Sequence, residues 1–259
     1  MSQPFRRIAQ ILWWASLVLI LAGLLLYLLP VLAIVPADIL MGGGIVLLGA
    51  NILMGGDIIV GPEPRRFSAR GQVVRGVFRA GVGLSDLLVG AGPNDRIAVI
   101  RSGPLGSPFF RVEEGVAYLQ VGRPPLEPNL ARWQAGLATN MLWDIEARSS
   151  LGHLRLNLYQ LRLETVRAST SMGSLHVICP GRGFTEITLQ TAIGQVTVTL
   201  PPDVEADVQV DEGTLARVLV RNDRLIAQGG GRYTTPPVEQ AAARVAIRVR
   251  TAAGDVLLN

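Results

Sequence analysis

The sequence predicts an all-β soluble domain, a single-stranded parallel β-solenoid of β-helix-like rungs, preceded by an α-helical transmembrane hairpin. Three observations predict it. The first is a repeat with a period of about 21 residues. Leu142, Ile145, Ala147, Leu151, Gly152, Leu154, Leu156 and Leu158 return without a gap as Leu163, Val166, Ala168, Met172, Gly173, Leu175, Val177 and Cys179. They return again as Phe184, Ile187, Leu189, Ile193, Gly194, Val196, Val198 and Leu200. The second is the period-two alternation inside each copy, as in His153-Leu154-Arg155-Leu156-Asn157-Leu158, which marks strands with one buried face. The third is a pair of long apolar runs near the N-terminus.

Ile11 to Leu29 and Ile39 to Gly56 carry no charge, and each approaches the roughly 20 residues a spanning helix needs. A cleaved signal peptide is the alternative, since Arg6 and Arg7 precede the first run. The second run and the lack of a small-x-small cleavage site point away from it. Arg6 and Arg7 lie before the first run, and Arg65, Arg66, Arg70 and Arg75 lie after the second. The connecting stretch has no basic residue, so both termini are expected in the cytoplasm. Gly42, Gly49 and Gly56, with Gly43 and Ala50 beside them, form a small-residue seam expected to pack on the first helix or on a partner membrane protein.

The chain thus divides into a tail and two helices over residues 1–60 (spans about 11–29 and 39–56), a linker over 61–71 and a solenoid over 72–259, clearest at 142–200. Each rung holds two strands, and the glycine two residues before the second marks a turn. Stacked rungs pair in parallel about 4.8 Å apart. A fourth copy lies 60 residues after the third: Ile247, Val249, Ala253, Gly254, Val256 and Leu258 follow Ile187, Leu189, Ile193, Gly194, Val196 and Val198. Val204 to Gly213 and Leu215 read as a rung with shifted register. Gly71 to Val89 reads as an early rung with Ala80, Val82, Leu87 and Val89 inward. Gly122 to Pro128 reads as a corner, and Ala131 to Met141 as a short helix leading to Trp143. The Gln228–Gly231 and Thr234–Pro237 excursion and the N-terminal segment are candidate caps for the exposed strand edges.

Composition narrows the function. The formal net charge is +4, and all 24 basic residues are arginine. That balance suits an anionic membrane surface. Aromatics make up only 5% and are not interleaved with arginines, which argues against a nucleic-acid groove. The single cysteine excludes an intrachain disulfide. Cys179 is equivalent to Leu158 and Leu200, so it reads as a small core residue. His153 and His176 fall on outward positions with no cysteine or carboxylate motif beside them, so no zinc site is expected. Asp203, Glu205, Asp207 and Asp211 form an outward acidic stripe expected to meet Arg248 and Arg250 of a neighbouring rung. They lack the spacing of a calcium loop. Gly90 to Arg96 reads as a turn rather than a phosphate loop. No catalytic, cofactor-binding or metal site is assigned, no small-molecule substrate is evident, and a hydrolase using outward carboxylates is the weakest reading.

The membrane hairpin, the linker and rungs such as "LRLETVRASTSMGSLHVICP" and "FTEITLQTAIGQVTVTLPPDVEADVQV" resemble the toastrack-type C-terminal domain of LiaF-like proteins, the cell-wall-active-antibiotic response family. "AGVGLSDLLVGA" followed by "RIAVIRSG" resembles that family's first rung. The chain departs in having Met172-Gly173 and Ile193-Gly194 where many relatives have a more glycine-rich turn, and in its short membrane region. The resemblance implies a non-enzymatic, membrane-anchored regulator or sensor scaffold of envelope stress, often beside a membrane sensor kinase. A homo-oligomerising structural module is the alternative that the open solenoid ends suggest.

Overall fold

The computed structural model describes residues 14–25, 37–54, 64–69, 72–83, 85–101, 108–122, 132–238 and 241–259. Two compact units emerge, Met1–Pro62 with Gly103–Leu105, and Glu63–Ser102 with Gly106–Asn259.

The first unit contains two helices, α1 (residues 14–25) and α2 (Ala37–Met54). They pack where side chains are smallest. Ser16 and Gly23, two turns apart on α1, are buried, as is Gly44 on α2. A Cβ added at Gly44 would strike Ile20 Cγ1 at 2.6 Å and the Ser16 carbonyl at 2.9 Å. The contact glycine is therefore Gly44, whereas Gly42 and Gly43 of the expected seam face open space. Gly56 and the surroundings of Gly49 and Ala50 lie outside the described residues. Among the described residues no helix is long and apolar enough to cross a membrane. The expected spans extend outside them, at 11–13, 26–29 and 55–56. Membrane crossing thus gains no support from the structure.

Among the described residues the second unit is a solenoid of 17 strands in one sheet. They are β1 (Arg65–Phe67), β2 (Arg75–Val82), β3 (Leu87–Ala91), β4 (Ala98–Arg101), β5 (Phe109–Glu113), β6 (Val116–Gly122), β7 (Trp133–Leu137), β8 (Leu142–Leu151) and β9 (Leu154–Asn157). Then follow β10 (Arg162–Met172), β11 (Leu175–Ile178), β12 (Gly183–Ile193), β13 (Val196–Thr199), β14 (Val204–Val220), β15 (Ile226–Gly229), β16 (Arg232–Thr234) and β17 (Ala243–Leu258). One parallel face runs β6, β2, β8, β10, β12, β17, β14. The other runs β7, β3, β9, β11, β13 and then the C-terminal halves of β17 and β14.

The repeat sets this register. Val166 pairs with Ile145 and Ile187, and Ala168 with Ala147 and Leu189. The fourth copy joins as expected, with Ile187 on Ile247, Leu189 on Val249 and Val196 on Val256. Chain order and stacking order differ at both ends. The rung at 75–91 sits inside the one at 116–137, and β17 slides between β12 and β14. The C-terminal strand is thereby hydrogen-bonded on both sides.

Alternating apolar residues from the two faces fill the interior, including Phe78, Leu119, Trp143, Ile145, Leu156, Val177, Val198, Val208 and Val249, each at most 2% exposed. Each such side chain contributes about 1.5–3 kcal/mol on burial. Ala80, Val82, Leu87 and Val89 point inward as expected.

Three expectations need correction. The repeat breaks at its first position, where a bulge between Leu163 and Thr165 shifts the pairing so that Leu163 meets Trp143, not Leu142. Trp143, Leu163 and Thr185 consequently turn inward and Phe184 is exposed. Thr185 is tolerated in the core because its hydroxyl donates to the Leu163 carbonyl at 3.0 Å. The stretch expected as a helix at Ala131–Met141 is instead β7, because Trp133, Ala135 and Leu137 alternate inward and pair with β3. Finally, β1 forms inside the stretch read as a linker, pairing antiparallel with β4. The corner at Gly122 to Pro128 lies outside the described residues from 123 onward.

Candidate interaction surface

The corner between the two faces is built on stacked glycines. Gly152, Gly173, Gly194 and Gly254 hold φ of 152°, 140°, 145° and 121°, a backbone region that residues with a Cβ avoid. The first three amides each donate to the residue before the next glycine, Gly152 to Met172 at 3.1 Å, Gly173 to Ile193 at 3.0 Å and Gly194 to Ala253 at 3.0 Å. A Cβ on any of the last three would overlap the carbonyl of the glycine below it. Just before the glycines, Ser149, Thr170, Thr191 and Thr251 stack in register and are buried. Thr170 and Thr251 each donate to the carbonyl two residues on, at 3.2 Å and 3.4 Å. The Thr191 hydroxyl is buried with no partner.

The tight turn forces the residues between hydroxyl and glycine outward. Leu151, Met172, Ile193, Ala253 and Leu215 therefore stack into one ridge along the solenoid. Four of them are large and 45%, 47%, 52% and 79% exposed, in chain order 151, 172, 193 and 215. Sequence reasoning placed these positions in the repeat but did not see that they face solvent. Beside the ridge lies an open groove of about 640 Å³ lined by Ser169, Ser171, Gln190, Thr191, Asp211 and Arg250.

The sequence-derived candidates fall elsewhere. Cys179 is fully buried, and burial pushes its thiol up to about 12. His153 is exposed; its Nδ1 lies 2.6 Å from the Ser174 hydroxyl and accepts the Ser174 amide at 3.3 Å. His176 is half-buried one rung above Arg155, and desolvation, followed by that positive charge, holds its imidazole below the usual value. Among the described residues no group of three or more His, Cys, Asp or Glu side chains could hold a metal.

The acidic stripe pairs with arginine on two neighbouring elements. Glu205 meets Arg244 at 2.8 Å and Asp211 meets Arg250 at 3.1 Å, both across the β14–β17 ladder. Arg232 of β16 grips Asp207 with two hydrogen bonds of 2.9 Å and 2.8 Å, holding that carboxyl below the usual range. Arg248 faces Gln209 rather than an acid, because it lies two residues of register from Asp211, which faces Arg250. Gly90 to Arg96 ends β3 and turns, with Asn94 accepting the Thr139 amide at 2.9 Å and its hydroxyl at 2.8 Å.

What this arrangement offers is surface: a rigid ladder, an apolar ridge and a polar groove, with Glu205, Asp207 and Asp211 committed to arginines. No family model matches the sequence, and no curated protein does. Among solved structures, a candidate cell adhesion protein of Clostridium sporogenes is similar at a TM-score of 0.66 and 12% identity, over 76% of this chain and 97% of that one. A candidate adhesin of Bacteroides fragilis aligns over 76% of this chain and 96% of that one, at 8% identity and a TM-score of 0.30. The first likeness shows a shared β fold; the second is too distant to carry an argument.

Proposed function

We propose that this protein is a non-enzymatic, membrane-anchored scaffold of the cell envelope that acts by protein–protein contact. The observation that carries the reading is the corner ridge, a row of exposed aliphatic side chains held at fixed spacing on a rigid ladder. Contiguous apolar surface of this kind marks an interaction site. The anchor is read from the two long uncharged runs of the sequence; α1 and α2 expose Trp14, Val18, Leu21, Leu24, Leu25, Ile39, Ile45 and Val46. A helix pair apolar all round needs a membrane or a partner to cover it. The arginine distribution favours a cytoplasmic solenoid, and the LiaF-like resemblance supports envelope-stress signalling beside a membrane sensor kinase.

The test is crosslinking of the full-length chain in native membranes, with wild type compared against a variant carrying Leu151→Ser, Met172→Ser and Ile193→Ser. A defined partner recovered with wild type and lost with the variant supports the scaffold reading. No partner, or one indifferent to the ridge, overturns it. Adhesion, taken from the name of the Clostridium protein, is the competing reading, and topology separates the two. Thr197→Cys, outward on β13, should resist a membrane-impermeant thiol reagent on intact cells; labelling would place the solenoid outside.

A further inference from the structure

Every solenoid must end its ladder somewhere, and the two halves of the last strand here end it differently. On the first half of β14 the outward edge is fully used. The Val204 carbonyl accepts Arg224 Nη2 at 2.9 Å. The Ala206 amide donates to the Thr235 hydroxyl at 2.9 Å and its carbonyl accepts the Thr235 amide at 3.0 Å. Val208 pairs with Tyr233 of β16, and the Val210 amide donates to the Gly231 carbonyl at 2.8 Å. The β15–β16 hairpin is therefore a cap, as its sequence suggested, but it stops at Val210.

Past the irregularity between Glu212 and Leu215 the edge is bare. The Arg221 amide donates to the Leu258 carbonyl at 2.7 Å, so Arg221 faces β17. In a parallel ladder alternate residues of a strand bond to the same neighbour. Leu215, Arg217 and Leu219 therefore also face β17, whereas Ala216, Val218 and Val220 turn their N–H and C=O groups outward. Among the described residues nothing bonds to them. The segment carries no proline and no inward charge to block a second strand. Leu219 and Val220 are 42% and 40% exposed, and Val218, packed on the end of the core, is only half-buried.

We propose that this edge pairs antiparallel with the same edge of a second copy, Val218 lying on the two-fold axis. A row of unpaired N–H and C=O groups is satisfied in full by another extended backbone, and the sequence of this strand is complementary to itself in that register. Val218 meets Val218, and Ala216 of one copy meets Val220 of the other, so the core-side face becomes continuously apolar across the joint. On the opposite face Leu219 meets Arg217 of the other copy, whose guanidinium donates to its own Asp255 at 3.2 Å at the surface and whose aliphatic stem covers the leucine. No two arginines stand directly opposite one another. The contact is isologous and closes at two copies, since pairing uses the same edge on both. It rests on the strand geometry alone and holds on either side of a membrane.

The experiment uses the full chain in its native membrane with Val218→Cys and a short bis-maleimide. Cys179 is buried and supplies no competing thiol. A covalent dimer should form, whereas Thr197→Cys, in mid-solenoid, should give none. Adding Val220→Pro removes an amide that bonds nothing inside the chain, and should abolish the dimer without lowering the thermal midpoint. Leu219→Lys and Leu219→Glu guard against a folding defect. Lysine placed opposite Arg217 should lose the dimer, and glutamate should keep it. A Val218→Cys chain that stays monomeric, equal crosslinking at Thr197→Cys, or identical behaviour of the two Leu219 variants would overturn the pairing.

Discussion

Adding one methyl group at Gly194 should damage this fold more than the removal of most surface interactions. The backbone there has a φ of +145°, and the new Cβ would overlap the Gly173 carbonyl oxygen. Two terms are involved. Holding a residue with a side chain in that region of backbone space costs about 1–3 kcal/mol. Forcing atoms into a filled site costs about a further 1–3 kcal/mol. Gly183 separates the two, because its φ is +78° but a Cβ there meets nothing within 4 Å. Gly183→Ala should therefore lose only the backbone term, and Gly194→Ala the sum, about 2–6 kcal/mol. Urea unfolding of the full chain, followed by fluorescence of buried Trp133 and Trp143, reads the difference. With a slope of about 2–3 kcal/mol per molar, the Gly194→Ala midpoint should fall by roughly 0.7–3 M. Equal midpoints for the two variants would refute the claim that the glycine ladder is closely stacked.

Further predictions concern buried polar groups. Thr191→Val should leave stability unchanged or raise it, since the lost hydroxyl has no partner; Thr185→Val should lower it by about 1 kcal/mol, because it strips a donor from the Leu163 carbonyl. Denaturant midpoints check both. Cys179 should stay unmodified by a thiol reagent at pH 8 in the folded protein and react fully once unfolded, as a thiol held near 12 within the core requires. His176 should titrate below the ordinary imidazole value by NMR, and Arg155→Gln should move it back upward, though not fully, because desolvation is the larger cause. As the folded imidazole is the weaker base, the unfolded chain takes up the proton first. This residue's contribution to stability should therefore fall as the pH drops from the ordinary value through the lowered one.

The likeness to the Clostridium protein at 12% identity shows how little of such a fold resides in particular residues. A parallel ladder needs an apolar position every second residue and a corner that can turn. Many sequences meet that demand, and a LiaF-like origin and an adhesin-like origin are equally compatible with it.

The amino-acid sequence alone determined the periodic part. Residues that recur at a constant offset occupy the same environment in every rung, so the interior places of Cys179, Ile187 and Val198, the φ-demanding glycines and the fourth copy could all be read from one-dimensional spacing. Tertiary structure decided whatever depends on how the rungs meet. The bulge beside Leu163, the strand at Trp133–Leu137 and the exchange of order at both ends arise from pairing between segments distant in sequence, which no local pattern records. So does the candidate surface. Leu151, Met172 and Ile193 are as apolar as their buried neighbours, and only the turn of the backbone at the glycine ladder, which leaves no interior space for them, puts them in water. The bare edge at Ala216–Val220 is visible only once the cap is seen to stop at Val210.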